Sequence, residues 1–261
     1  MTLLANPKAI ALGKRYVETD LNRCFSRQDL DNPNLTSYEA LRAKIIDHQF
    51  GPKSDRQVDL AIDVHSTTAN MGLTLIFNGE DPLILKLAAH LATMNPNVRM
   101  LRSLAPGEDK KYVDSLRKVG CSIEVGAVAQ NVLNAALFQQ TEALLHTILD
   151  FVDAYNRGIS LPLADSFWIY QNLGGIDYPR DESGDIQSMV HPQLQFRDYE
   201  PLVPGDPMFL TFTGETIVYE GKKTIYPVFI NEAAYYEKGI VMSCCDRSRF
   251  DVAQASLDSR S

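Results

Sequence analysis

A handful of residues in this chain have the types and spacing to do chemistry together. His65 closes the apolar, β-branched run Asp59-Leu-Ala-Ile-Asp-Val-His65 and opens onto a polar loop, Ser66 to Gly72. An imidazole at the carboxyl end of a strand stands where open α/β sheets bind ligands, and a neutral ring nitrogen there can hold a metal. Asp63 projects from the same face of that strand, two residues earlier, and could orient such a ring. A lone histidine at a strand end also serves as an ordinary hydrogen-bonded residue, so this stretch alone leaves both readings open. Glu124 sits inside Ser122-Ile-Glu-Val-Gly126. A carboxylate in an apolar run either faces water from an edge strand or is buried with a partner, a metal or a proton. Arg15, Asn22 and Arg23 fall in a stretch without a clean period and offer donors for an anion. Together with Tyr112, Arg117 and the segment Asn231-Glu-Ala-Ala-Tyr235-Tyr-Glu, they suggest a metal hydrolase acting on an acidic substrate.

The elements that must position these residues alternate between strand and helix, as in α/β folds. Thr2 to Asn6 reads as a short strand entered directly from Met1, with Asn6-Pro7 as a turn. Thr36-Ser-Tyr-Glu39 has capping-box spacing and starts a helix that Gly51-Pro52 stops. After the strand ending at His65, Leu73 to Phe77 forms another, and Asp81-Pro82 opens a helix to about Met94. Val98 to Leu104 reads as a strand, Ala105 to Lys111 as a charged loop, and Val132 to Asn156 as one long helix ended by Gly158. Beyond Gly158 the period changes to short strands separated by turns: Phe167 to Tyr170, Phe209 to Phe212, Thr216 to Tyr219 and Thr224 to Ile230. This divides the chain into an α/β domain over 1–158, a smaller β-rich domain over 159–240 and a loosely held tail over 241–261.

The 261 residues, 45% of them hydrophobic, can bury a substantial core. A net charge of -8 and a pI near 5.1, without clustered Lys and Arg, argue against nucleic-acid binding. The apolar runs are too short or interrupted to span a bilayer, and no signal-peptide pattern opens the chain, so a cytoplasmic protein is expected. Cys24, Cys121, Cys244 and Cys245 suit reduced, structural thiols better than a disulfide framework. Self-association into a homo-oligomer is left open.

A series of motifs in order along the chain resembles the succinylglutamate desuccinylase/aspartoacylase family. They are Asn6-Pro-Lys-Ala, Arg15-Tyr, Asp20-Leu-Asn-Arg23, Phe50-Gly-Pro-Lys53, Asp63-Val-His-Ser-Thr-Thr-Ala-Asn-Met-Gly72, Ile123-Glu-Val-Gly126, Tyr178-Pro-Arg-Asp181, Pro204-Gly-Asp-Pro-Met-Phe209 and Tyr226 to Glu237. The resemblance implies a zinc-carboxypeptidase-like fold, a mixed sheet with flanking helices, and zinc-dependent cleavage of N-acetyl-L-aspartate to aspartate and a carboxylate. It implies one zinc per subunit, with His65 as a ligand, and Glu124 as the base and acid that moves the water proton. Arg15 would polarise the carbonyl and stabilise the oxyanion. Asn22, Arg23, Tyr112, Arg117 and Tyr235, with Arg15, would bind the substrate. The other two family ligands come from a His-Gly-Asn-Glu motif near the N-terminus, which this sequence does not contain. The α/β domain is therefore expected to be N-terminally incomplete, its start lying inside a longer reading frame. The alternatives are a sibling enzyme for other N-acyl or succinyl amino acids, or, if the start is genuine, a metal-free remnant without catalysis.

Overall fold

In a computed structural model of the protein, residues 1–51, 58–103 and 119–253 are described. Among the described residues five α-helices run in chain order, α1 (Pro7–Ala11), α2 (Arg27–Asp31), α3 (Tyr38–Phe50), α4 (Pro82–Met94) and α5 (Ala135–Asn156). The strands are β1 (Leu60–Ser66), β2 (Gly72–Phe77), β3 (Val98–Arg102), β4 (Val119–Gly126), β5 (Ser166–Ile176), β6 (Ser188–Val190), β7 (Pro207–Thr211), β8 (Thr216–Val218), β9 (Tyr226–Val228) and β10 (Met242–Asp251). Seven form one sheet in the order β1-β4-β2-β3-β5-β10-β9, and β6-β7-β8 form a second. β2, β3 and β5 pair in parallel, whereas β10 runs antiparallel to both β5 and β9. Contacts group the chain into two compact units, Met1–Val64 with Gly107–Ile123, and His65–Pro106 with Glu124–Ser261.

Local chemistry explains the element boundaries. Asp81 caps α4 by accepting from the Leu83 N–H, with Pro82 at the first helical position. Its inner face buries Ile84, Leu85, Leu87, Ala88 and Leu91. Truncating a buried leucine such as Leu87 to alanine costs about 2–5 kcal/mol. α5 ends in a paired cap: Gly158, at φ 69°, donates to Tyr155 O, and Ile159 donates to Ala154 O. α5 starts later than its apolar pattern suggests because Asn134 caps it, leaving Leu133 outside and 99% exposed.

Three expectations from the sequence are corrected. Residues Thr2 to Asn6 form no strand. They run irregularly, with Arg42 donating to the Leu4 and Ala5 carbonyls, and Asn6 caps α1 instead of making a turn. Apolar composition alone does not make a strand where no ladder partner takes up its backbone groups. Thr36 and Glu39 do not form a capping box, because Ser37 is the cap and accepts from the Ala40 N–H. The tail expected from residue 241 is, over Met242–Asp251, a strand paired with β5 along its length. Polar side chains obscured it, since Asp246, Ser248 and Arg249 are all exposed along the strand. Burial pushes the Cys24 and Cys244 thiols up to about 11, which keeps them protonated, and none of the four cysteines is in a disulfide.

β4 closes against the loop leaving β1 through Gly126. A methyl group there would lie 2.5 Å from Ala69 O and 2.6 Å from both Thr67 O and Thr67 Cγ2. Gly126→Ala is therefore expected to cost about 1–3 kcal/mol through forced displacement of that loop. Thermal unfolding checks it, and an unchanged midpoint would show that the loop yields freely.

Candidate functional site

In the first unit, one loop carries Arg15, Asn22 and Arg23. Glu39, fully buried on α3, accepts from three consecutive backbone N–H groups: Val17 at 2.6 Å, Glu18 at 3.1 Å and Thr19 at 3.2 Å. Asn6 Nδ2 adds a fourth bond at 3.0 Å. Burial pushes the Glu39 carboxyl up, but these hydrogen bonds outweigh it and leave the group below its ordinary value. The next carboxylate, Asp20, caps the short 3₁₀ turn Leu21–Arg23, accepting from the Asn22 N–H at 3.1 Å and from Arg15 Nη2 at 3.1 Å. Arg23 Nη1 donates to the Asn22 carbonyl at 3.0 Å. Two guanidinium groups and an amide are thereby held on one loop, a donor set suited to carboxylates. The Arg15–Asp20 pair is partly exposed, so it orients more than it stabilises.

In the second unit lie His65, Glu124 and Tyr235. His65 is the penultimate residue of β1, half-buried, and Asp63 precedes it on the same strand. Glu124 is buried in β4, which lies between β1 and β2 in the sheet, so the water-facing edge-strand reading is excluded. Pairing continues past the strand ends: Thr67 N–H donates to Val125 O, and Val128 N–H to Thr67 O, both at 2.9 Å. The loop that leaves His65 is then gripped by Glu232. Its Oε2 accepts from Thr68 N at 2.7 Å, from Thr68 Oγ1 at 2.9 Å, from Ala69 N at 3.3 Å, and from Thr67 Oγ1 in a short bond. Its Oε1 accepts from Ala234 N at 3.0 Å, capping the 3₁₀ segment Ala233–Lys238 that carries Tyr235. Tyr235 packs on Phe229 with ring centroids 5.4 Å apart. One carboxylate thus fixes the loop after His65 and the segment of Tyr235 together.

Among the described residues there is no group of three or more His, Cys, Asp or Glu that could hold a metal ion. His65 supplies one imidazole, and these residues do not complete the three-ligand set of a catalytic zinc. Tyr112 and Arg117 lie outside the described residues. Reasoning from the sequence overlooked Asp20, Glu39, Thr67 and Glu232 as organisers. Asp20 and Glu232 stand inside motifs noted for their neighbours, and Glu39 was credited to a helix cap. The signal of the three carboxylates is an acidic residue at a position that folds inward, which no local period reveals.

Burial pushes Glu232 up, yet hydrogen bonds from Thr67, Ala234 and Thr68 more than compensate, and its folded value is lowered. A carboxylate lowered by folding adds stability that is present above its unfolded value near 4.5 and is lost as pH falls through the folded value. Glu232→Gln should therefore melt well below the wild type at pH 7, and the gap should close as both are acidified below about pH 4. A gap independent of pH would remove the charge of Glu232 from the explanation.

Residues 1–152 match the succinylglutamate desuccinylase/aspartoacylase catalytic domain, and residues 165–247 match the AstE/AspA barrel-sandwich hybrid domain. A Nostoc protein named "Probable aspartoacylase" is 55% identical over 242 residues, 93% of this chain and 82% of the relative. A human N-acyl-aromatic-L-amino acid amidohydrolase (carboxylate-forming) is 41% identical, covering 96% of this chain and 80% of its own. The crystal structure of murine aminoacylase 3 superposes with a TM-score of 0.90 at 41% identity, covering 97% of this chain and 84% of that one. With a mixed seven-stranded sheet of the zinc-carboxypeptidase-like type and a β-rich hybrid domain, the chain belongs to the succinylglutamate desuccinylase/aspartoacylase family of amide hydrolases.

Proposed function

We propose that the protein hydrolyses the amide bond of an N-acyl amino acid whose amino-acid part is acidic, N-acetyl-L-aspartate first among them, giving aspartate and a carboxylate. The observation that carries this reading is Glu124, a carboxylate buried on an inner strand beside the strand that delivers His65, in a chain 55% identical to a "Probable aspartoacylase". A buried carboxylate that can reach a water accepts its proton as the water oxygen attacks the amide carbon. The C–N bond then breaks, and Glu124 returns the proton to the leaving amine. Arg15 is proposed to face the oxyanion, where a fixed cation in a water-poor site contributes several kcal/mol, roughly. Arg23 and Asn22 hold substrate carboxylate, with Tyr235, Tyr112 and Arg117 as further contacts. Zinc dependence enters through the family and through His65. A bound zinc would supply Lewis acidity. Among the described residues His65 would be one of its ligands, and the set is not completed by the others.

A second reading, hydrolysis of N-acyl aromatic amino acids, is favoured by the likeness to the human N-acyl-aromatic-L-amino acid amidohydrolase. The two readings differ in one charge, because an aromatic substrate offers a single carboxylate and N-acetyl-L-aspartate offers two. Side-by-side assays of N-acetyl-L-aspartate and N-acetyl-L-phenylalanine, with zinc content measured on the same preparation, decide between them. We place the enzyme in the cytoplasm, in keeping with the lack of any helix among the described residues long and apolar enough to cross a membrane.

Arg23→Ala should lower kcat/KM for the dicarboxylate by about 10- to 100-fold, the worth of one charge-assisted hydrogen-bonded pair, and affect a neutral amide far less. Equal losses on both substrates would count against Arg23 as a specificity residue. Glu124→Gln should remove about 10²- to 10⁴-fold of the turnover, because the amide keeps the shape but takes no proton. The metal content should stay at the wild-type level; loss of zinc in this variant would put Glu124 among the ligands and overturn its role as base.

A further inference from the structure

The segment that carries Tyr235 is tied down a second time, by a residue that no part of the proposed chemistry uses. Asp198 is buried, and its two oxygens serve two different backbone stretches: Oδ2 accepts from Asn70 N at 3.1 Å, and Oδ1 from Ile230 N at 3.0 Å. Asn70 lies five residues after His65, and Ile230 five residues before Tyr235. Neighbouring bonds run across the same gap, from Asn70 Nδ2 to Phe196 O at 2.8 Å and from Phe229 N to Met71 Sδ at 3.3 Å.

The backbone here is held in conformations that its residues do not favour. Phe196, Tyr199, Phe229 and Asn231 have φ of 65°, 68°, 55° and 57°. Left-handed backbone costs roughly 1–2 kcal/mol for each residue with a side chain, and three of these four are aromatic. Such conformations persist only where the surroundings over-determine them, and they gather at functional sites. Burial pushes Asp198 up to about 6 in spite of the N–H groups it accepts from, so this carboxylate is kept in an unfavourable place.

We propose that Asp198 is a positioning residue for the reaction: by bridging Asn70 and Ile230 it locks the loop leaving His65 and the segment leading to Tyr235 into one body. This rests on the reading of His65 and Tyr235 as members of the active site. Glu232 grips the same two stretches two residues nearer to Tyr235, so Asp198 closes the second side of a frame rather than duplicating a cap.

The test uses the full chain. In the wild type, hydrogen exchange along a urea series should give the Asn70 and Ile230 amides protection factors within about threefold of each other, as one opening event requires. Asp198→Ala removes both acceptors, and should raise exchange about tenfold or more in both 67–71 and 229–235 while α4 keeps its protection. In the same variant KM for the hydrolysed N-acyl amino acid should rise by about tenfold with kcat changed by less than threefold, the split expected when a substrate-contacting segment loses its setting. Loosening of only one stretch, a uniform rise across the chain, or wild-type exchange at both stretches would overturn the bridge. Unlinked protection of Asn70 and Ile230 in the wild type would overturn it even if the variant failed to fold. An unchanged KM with both stretches loosened would overturn the link to the reaction. A wild-type chain that hydrolyses neither N-acetyl-L-aspartate nor N-acetyl-L-phenylalanine would sink the functional reading and that link with it, leaving the exchange result to stand on its own.

Discussion

An ionised carboxylate taken out of water must be given several hydrogen-bond donors, or it will shift its pKa and surrender its charge. In this protein the donors are backbone N–H groups of loops, and that exchange fixes the loops. Glu39 takes Val17, Glu18 and Thr19; Glu232 takes Thr68, Ala69 and Ala234; Asp198 takes Asn70 and Ile230. A loop has no ladder or helix to satisfy its own backbone, so a buried acceptor meets two needs at once. The candidate functional groups are carried on these loops or beside them, which is why acidic residues that touch no substrate matter to the chemistry.

The sheet and the loops contribute differently to the site. His65 and Glu124 come from neighbouring strands, where the ladder sets position and Glu124 is buried. Arg15, Asn22 and Arg23 come from a loop and the short 3₁₀ turn that ends it, and their geometry depends on Asp20 and Glu39. Rigid strands suit a proton-transferring group, which tolerates little displacement. Arginines on an anchored loop suit recognition, since a guanidinium can adapt its long side chain to a carboxylate once its Cα is fixed.

Much of this was legible in the sequence because it is local. Asp81-Pro82 announced α4, Gly158 announced the end of α5, and the Val- and Ile-rich run into His65 announced β1. Each signal acts within a few residues, through a cap or a period. What was not legible is long-range. Whether Ser122 to Gly126 was an edge or an inner strand depended on which strands came to lie beside it, and only the order β1-β4-β2 decided that Glu124 is buried. The same limit hid β10, whose polar residues look like a tail until β5 is seen to pair with it. Thr2 to Asn6 erred in the other direction, since apolar residues specify a strand only where a neighbour accepts the ladder.

The division of labour also bears on what the family likeness can and cannot carry. Fold and base are set by strands, and the two candidate substrate classes ask nothing different of them: either amide needs a water activated beside its carbonyl, and either amino acid presents an α-carboxylate. The classes part at the side chain, where aspartate adds a second negative charge and an aromatic residue adds a flat apolar surface. Desolvating that extra carboxylate without a fixed cation would cost several kcal/mol, more than a pocket can recover by shape. On the proposed function, choice between them rests on a few guanidinium groups on loops, and the loops anchored by buried carboxylates are the part of the molecule in which substrate preference would change while the strand of Glu124 stays as it is.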